Sequence, residues 1–316
     1  MRAIGALPLL WTTACAGPPT GRLTWRESWE FISLTSRGHV VDGRVTVGNT
    51  GVLRGQGHLR LDRWMESGAP IRYHRTSAPG ETGVFPDRER VRIGDDLLDL
   101  ERHTWSLNVN ADEANAVLHL APTSRLKVPP VSALVGPGQW TVTASVPAGR
   151  TTGWIEAGER GGNLEGRGTL LYRGGDGLPR GPRRTLILQG GDASIGFDSH
   201  GSMTLAWVHL DGQALNAQGA DLVETQDGWM LNLPGADVTA LLTRRPVAGE
   251  APLHPDASPL DTLGMSMLGM GSIRSVQALQ ASVVRPGSTQ VVPGVLIQVA
   301  EEDEHIVIRG RGGGDR

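Results

Sequence analysis

The chain has 316 residues, 44 of them glycine and 20 proline, with 39% hydrophobic and only 4% aromatic residues. That length accommodates two domains of ordinary size, and a formal net charge of −3 leaves no chain-wide basic footprint for nucleic acid. Of the 30 basic residues only Lys127 is lysine, and no glycine loop precedes it, which excludes a P-loop and argues against Schiff-base chemistry.

In chain order, Met1-Arg2 supplies a positive charge, residues 3–10 form a short apolar run, and Trp11-Thr12-Thr13-Ala14 leads into Cys15, the one cysteine. A small residue before a cysteine at the end of an apolar run resembles a bacterial lipoprotein signal. The resemblance implies that residues 1–14 are removed, that Cys15 carries a diacylglyceryl group, and that residues 15–24 tether the body through Gly17-Pro18-Pro19. Ala16 after the cysteine resembles the outer-membrane sorting choice. The competing reading is a frayed N-terminus with an inert thiol. No later segment approaches the roughly 20 apolar residues that cross a bilayer. The expected address is therefore outside the cytoplasm, lipid-anchored to a bacterial outer membrane.

Beyond the tether the pattern is all-β. Residues 29–34, 45–47, 105–109, 116–120, 140–144, 169–172, 185–188, 205–208 and 295–299 alternate or run apolar at strand length. Turn chemistry separates them at Asp42-Gly43, Asn49-Thr50-Gly51, Gly94-Asp95, Gly174-Gly175-Asp176-Gly177, Asp211-Gly212 and Asp227-Gly228. Only residues 237–242 and 276–282 show a short helical period, and both fit strands as well. The Pro/Gly-rich, uncharged stretch through residues 131–139 reads as a linker between domains at 25–130 and 140–308, and the Gly-Arg-rich residues 309–316 as a disordered tail.

Motifs for most catalytic chemistries are missing. There is no His-Glu-x-x-His stretch, no second cysteine for a thiolate zinc site, no Gly-x-Ser-x-Gly elbow and no Gly-x-Gly-x-x-Gly opening a helix, so neither a metal nor a cofactor is expected. Asp198-Ser199-His200 and His209-Leu210-Asp211 put an acid near an imidazole that it could orient as a general base, but each adjoins a glycine turn and reads first as exposed hairpin residues. In Arg54-Gly55-Gln56-Gly57-His58-Leu59, alternation puts Gln56 and His58 on one strand face, where they share either a cavity or solvent. Nine of the fourteen aromatic residues are tryptophan. Trp29, Trp140, Trp154 and Trp207 suit the wall of an apolar ligand cup, or serve as bulk in a core short of Phe and Tyr.

Trp25-Arg26-Glu27-Ser28-Trp29-Glu30-Phe31 is similar to the Glu-(Ser/Trp)-Trp-Tyr-Phe opening of the lipocalin-like AttH and carotenoid 1,2-hydratase group. Val146-Pro147 with Gly153-Trp154, followed by Gly166-Arg167-Gly168, looks like that group's second landmark. The resemblance covers about residues 25–210 and implies two lipocalin-like antiparallel β-barrels packed together, with a hydrophobic ligand between or inside them. Activities in the group include hydration and pericyclic reactions. The chain departs from the group where Gly-x-Gly commonly continues Tyr-x-Asp-His-x-Trp-Gly, because Leu171 and Tyr172 stand at the Asp and His positions. A leucine cannot transfer a proton, so acid–base hydration needs another carrier, Tyr172 or a histidine elsewhere. A pericyclic reaction, which depends on shape and placement, or simple carriage, survives the change.

These readings converge on a membrane-anchored protein that binds or carries a hydrophobic small molecule (lipid, terpenoid or polyketide-like) through Trp29, Gln56, Trp140, Trp154, Tyr172 and Trp207. The alternatives are a cofactor-independent isomerase, cyclase or hydratase with His58, Tyr172 or His200 as proton donor, and a structural envelope protein without a ligand. No protein partner can be read from the chain.

Overall fold

The computed structural model describes residues 25–300 apart from 49–55, 67–69, 78, 86–89, 100–103, 113, 136–137, 158–159, 177–178, 180 and 253–272. Cys15, the tether, the Asn49-Thr50-Gly51 turn and the tail lie outside the described residues. What is described is nearly all strand, in two antiparallel sheets.

Sheet one holds β1 (Arg26–Thr35), β2 (Val40–Gly48), β3 (Gln56–Trp64), β4 (Ile71–Ser77), β5 (Thr82–Phe85) and β6 (Arg90–Ile93). It continues with β7 (Asp96–Asp99), β8 (Trp105–Asn110), β9 (Asn115–Pro122), β10 (Val131–Val135), β11 (Gly138–Ala157) and β12 (Arg160–Gly175). Its order is β4-β3-β2-β1-β12-β11-β9-β8-β7-β6-β5, with β10 folded back on β11. The two ends approach each other into a nearly closed barrel. Tyr73 Oη donates to Asp96 Oδ2 at 2.8 Å across the seam, and a Cβ on Gly57 would stand 2.2 Å from Ile93 Cδ1.

Sheet two holds β13 (Arg183–Gly190), β14 (Ala193–His200), β15 (Met203–Leu210), β16 (Gln213–Leu215) and β17 (Asp221–Thr225). β18 (Gly228–Leu233), β19 (Val238–Pro252), β20 (Ile273–Arg285) and β21 (Ser288–Ala300) complete it. Its order, β16-β15-β14-β13-β21-β20-β19-β18-β17, repeats the logic of sheet one: the first strand of the unit pairs with the last. It curls into a half-barrel rather than the full barrel the sequence leads one to expect.

The break between sheets falls at residues 176–182, later than the linker expected at 131–139. That stretch instead carries β10, and β11 and β12 hydrogen-bond into sheet one, β12 directly beside β1. Further along β11, Val146-Pro147 is a bulge, with register shifts on both sides of Val146. Proline has no N–H to give a ladder, so a bulge accommodates it. The freed Pro147 carbonyl accepts from Thr169, Gln189 and Ser194, tying sheet one to sheet two.

Two expected turns are strand. Asp42-Gly43 lies within β2, where a Cβ on Gly43 would meet Leu61, Leu107 and Phe31 inside the barrel. Gly174 and Gly175 end β12, and a Cβ on Gly175 would stand 1.9 Å from the Gln139 carbonyl. Both are close-approach glycines. Gly94-Asp95 and Asp211-Gly212 are turns as read, the latter with φ of 50° and 78°, the left-handed pair that a tight hairpin needs.

Three apolar clusters follow from strand alternation. The first lies inside barrel one, with Trp29, Phe31, Leu59, Leu107, Leu118 and Trp105, whose ring stacks on Phe31 at 4.8 Å. The second lies under the curl of sheet two, with Leu186, Ile195, Leu231 and Leu296. The third joins the sheets and contains Ile32, Trp64, Trp140, Leu171, Trp207 and Ile297. Trp207 lies flat on Gly196, its cross-strand partner, where a Cβ would stand 1.9 Å from the ring. Gly196→Ala is therefore expected to lower stability by about 1–3 kcal/mol, the usual cost of overpacking, read from the shift of the denaturant midpoint.

Candidate functional site

Strand β1 carries different chemistry on its two faces. Glu27, Trp29 and Phe31 point into barrel one, whereas Arg26, Ser28, Glu30 and Ile32 point out toward sheet two. Every residue of β1 but Leu34 is buried, because barrel interior covers one face and sheet two the other.

Inside the barrel, Glu27 and Tyr172 meet. The two residues lie 145 positions apart, but β1 pairs with β12 so that Trp29 opposes Tyr172 and Glu27 opposes Gly174. Tyr172 Oη donates to Glu27 Oε1 at 3.2 Å, and the Trp29 ring tilts against the Tyr172 ring at 5.7 Å. Gly174 gives the phenol its room, since a Cβ there would stand 2.4 Å from Tyr172 Oη and 3.0 Å from Glu27 Cγ. Glu27 is 2% exposed, and its Oε2 has no hydrogen-bond partner. Burial pushes its carboxyl up to about 8, with the Tyr172 hydrogen bond opposing only in part. At neutral pH Glu27 is therefore a carboxylic acid whose free O–H faces an apolar interior.

The outer face holds a buried ionic layer. The Arg173 guanidinium donates to Glu30 at 2.5 Å, to Asp198 at 2.5 and 3.1 Å, and to Thr185 at 3.2 Å. Glu30 and Arg173 belong to sheet one, and Asp198 and Thr185 to sheet two. Glu30 also takes Arg183 at 3.0 Å, and the Arg183 and Arg173 guanidiniums hold its carboxyl well below the usual range against the effect of burial. Beside them, Arg60 pairs with Asp42 and Asp62 at 3.2 Å, and Arg274 of sheet two pairs with the same two carboxylates.

The expected site residues divide between these regions. Trp29 and Tyr172 share the barrel interior. Trp140 and Trp207 lie in the apolar layer between sheets, and Trp154 is half-buried outside the first core. His58 is half-buried on the outer face, with Nδ1 3.1 Å from Thr76 Oγ1. His200 also faces the inter-sheet layer, opposite Arg183; burial first and Arg183 second press its imidazole down to about 3. The side chain of Gln56 lies outside the described residues. His58 and His200 thus share a side of the fold that Tyr172 does not, so the three expected proton donors form no single constellation. Asp198 and His200 are also no exposed hairpin pair. Asp198 is buried and spent on Arg173, and His200 is half-buried.

Glu27 escaped the sequence reading although its motif did not. The opening motif contributes the glutamate, and the residue at the second landmark's His position contributes its partner, here a phenol. The arginines of the ionic layer carried a weaker signal: Asp42, Arg44, Arg60 and Asp62 alternate with apolar residues as a solvated face would.

No family model matches the chain, and no curated protein matches it. Among solved structures it is similar to CghA crystallised with Sch210972, with 11% identity over 90% of this chain and 93% of that one and a TM-score of 0.61. It is similar to kievitone hydratase from Nectria haematococca at 12% identity, over 93% and 94% of the two chains, with a TM-score of 0.57. A putative AttH protein from Nitrosomonas europaea matches at 10% identity, over 95% and 98%, with a TM-score of 0.55. The chain therefore has the lipocalin-like fold of AttH-type proteins along almost its whole length.

A raised carboxyl pKa has a signed consequence for stability. The folded chain keeps a proton that the unfolded chain releases, so this contribution is complete below the ordinary value of 4.5 and is lost as pH rises toward about 8. Glu27→Gln removes it. The stability of the variant relative to the native chain should rise between those limits by up to about 1.4 kcal/mol per pH unit, measured by denaturant melts across the range.

Proposed function

We propose that this protein is a cofactor-independent proton-transfer enzyme of the hydratase or cyclase type, acting on an apolar small molecule inside barrel one with Glu27 as the general acid. The observation that carries the reading is the buried Glu27 carboxyl with an unpartnered Oε2, next to Tyr172 and Trp29. An acid with a pKa near the working pH keeps its proton yet releases it to a substrate. Among proteins of the same fold, one is named a hydratase and another was crystallised with Sch210972. The family resemblance supports the same class of reaction.

In a hydration, the Glu27 Oε2 proton passes to one alkene carbon, and water bonds to the other. The water's second proton returns to the carboxylate, so alkene and water become alcohol with the enzyme unchanged. In a cyclisation, the same O–H polarises a carbonyl and keeps its proton. Tyr172 holds Oε1 and so aims Oε2, while Trp29 supplies a flat apolar wall. Tyr172 is a second source of the proton, through Glu27. The leader at Cys15 supports a lipid-anchored protein outside the cytoplasm. Metabolic labelling with radioactive palmitate should mark the native chain and not Cys15→Ser, and equal labelling of both would remove the anchor.

The test begins with protein taken gently from its own host, solvent extraction of any bound compound, and return of candidate precursors to the purified protein. Conversion is expected, falling as pH rises through about 8. Glu27→Gln should retain binding, followed by tryptophan fluorescence, while losing about 10²–10⁴-fold in turnover. Tyr172→Phe should lose less. Binding without conversion would make the protein a carrier, and unchanged turnover in Glu27→Gln would remove the acid.

A further inference from the structure

Glu27 is not alone inside barrel one in carrying a polar atom without a partner. Trp105 belongs to the first apolar cluster at 3% exposure, and its Nε1–H is buried with no acceptor among the described residues. The ring itself is well placed, lying on Phe31 at 4.8 Å with 18° between the planes, so its packing is satisfied while its N–H is not. A buried indole ordinarily finds a hydrogen-bond partner, and leaving the donor unpaired is unfavourable. The other buried indoles in that state, Trp64, Trp140 and Trp229, lie in the second and third clusters, outside the barrel's own core.

Strand β1 relates the two groups. Glu27, Trp29 and Phe31 alternate on its inner face, so four residues, roughly 13 Å of strand, separate the acid from the ring that carries Trp105. Trp29 stands between them. Both ends are donors, the O–H of the protonated Glu27 and the N–H of Trp105, and the cluster that joins them is apolar. Arg75, which alternates with the inward Ile71 and Tyr73 on β4, is taken by Asp95 and Asp96. Among the described residues, an anionic ligand in this interior therefore meets no free cation.

We propose that Trp105 determines specificity by donating its Nε1–H to the substrate, an uncharged molecule whose acceptor oxygen is set apart from its reacting end by an apolar stretch. The inference rests on the reading of barrel one as the site of reaction and names what that site selects. The reacting end meets Glu27, the apolar middle lies along Trp29, and a carbonyl, ether or hydroxyl oxygen reaches Trp105. A molecule without that oxygen leaves the buried N–H unpaired, the asymmetry by which a buried donor rejects an analogue lacking its partner. Because the contact is remote from the proton transfer, it fixes which atom of the substrate stands at Glu27.

The test uses the full chain with nitrogen-15-labelled tryptophan, and 2,6-diacetylnaphthalene and 2,6-diethylnaphthalene as ligands of one shape, with and without oxygens. The Trp105 Nε1–H resonance is assigned by its loss from Trp105→Phe. It should move further downfield with the diketone than with the hydrocarbon, a difference that cancels the ring current the two share, and it should saturate with binding. Trp105→Phe should weaken the diketone about three- to tenfold, the worth of one neutral hydrogen bond, and leave the hydrocarbon within about twofold. Glu27→Gln should lose turnover and keep the Trp105 response, so the acid and this contact fail separately. The inference is overturned if the diketone moves the Trp105 resonance no more than the hydrocarbon does, or if Trp105→Phe weakens both ligands alike. If neither ligand binds, the site in barrel one falls and the inference falls with it.

Discussion

Arg173 is the joint on which the two sheets turn. Its guanidinium donates to Glu30 on one side and to Asp198 and Thr185 on the other, at 1% exposure. Burying a guanidinium is unfavourable in itself, and the pairing with two carboxylates and a hydroxyl offsets the cost. Those carboxylates hold its proton affinity above the ordinary arginine value although burial opposes them. The geometry demands the sheets in one relative position, since a slide of a few ångström would break the two cross-sheet pairs, Arg173–Asp198 and Glu30–Arg183, and leave Asp198 and Arg183 buried without them. The apolar layer around Trp140 and Trp207 supplies area, and the Arg173 contacts supply register.

That constraint explains the division of labour along β1. A strand whose two faces are both covered must bury every side chain, and the chain places apolar residues and one protonated acid inward, with ionic residues outward. Glu27 and Glu30 are three positions apart and end in opposite states. Burial without a cation keeps Glu27 neutral, and burial against two guanidiniums keeps Glu30 charged. A single strand thus offers proton-donating chemistry to one space and cation-balanced chemistry to another.

The strands and the all-β class were legible because alternation is a local signal. The sheet boundary was not. Residues 131–139 look like a linker and the glycines of β12 like a turn in one dimension, and only the partner strands show that β10 pairs with β11 and that those glycines are close approaches. The acid at Glu27 was half legible: its motif stood out, but the pairing with Tyr172 depends on a register set 145 residues away. The histidines drew attention by type alone. His200 sits where burial and Arg183 remove its proton, which no spacing in the sequence reveals. Nothing in the sequence marks Asp42, Arg44, Arg60 and Asp62 as buried, because the sheet that covers them is encoded more than a hundred residues later.

The pairing of first strand with last has a consequence for the order of synthesis. β1 cannot find β12 until residue 175 exists, and β13 cannot be flanked by β21 until residue 300 does. Barrel closure is therefore a late, non-local event with a high loop-closure cost, the topology that folds slowly and leaves strand edges open meanwhile. The two units therefore close at different times: the first can close once residue 175 has emerged, a little past the middle of the chain, whereas the second waits for residue 300.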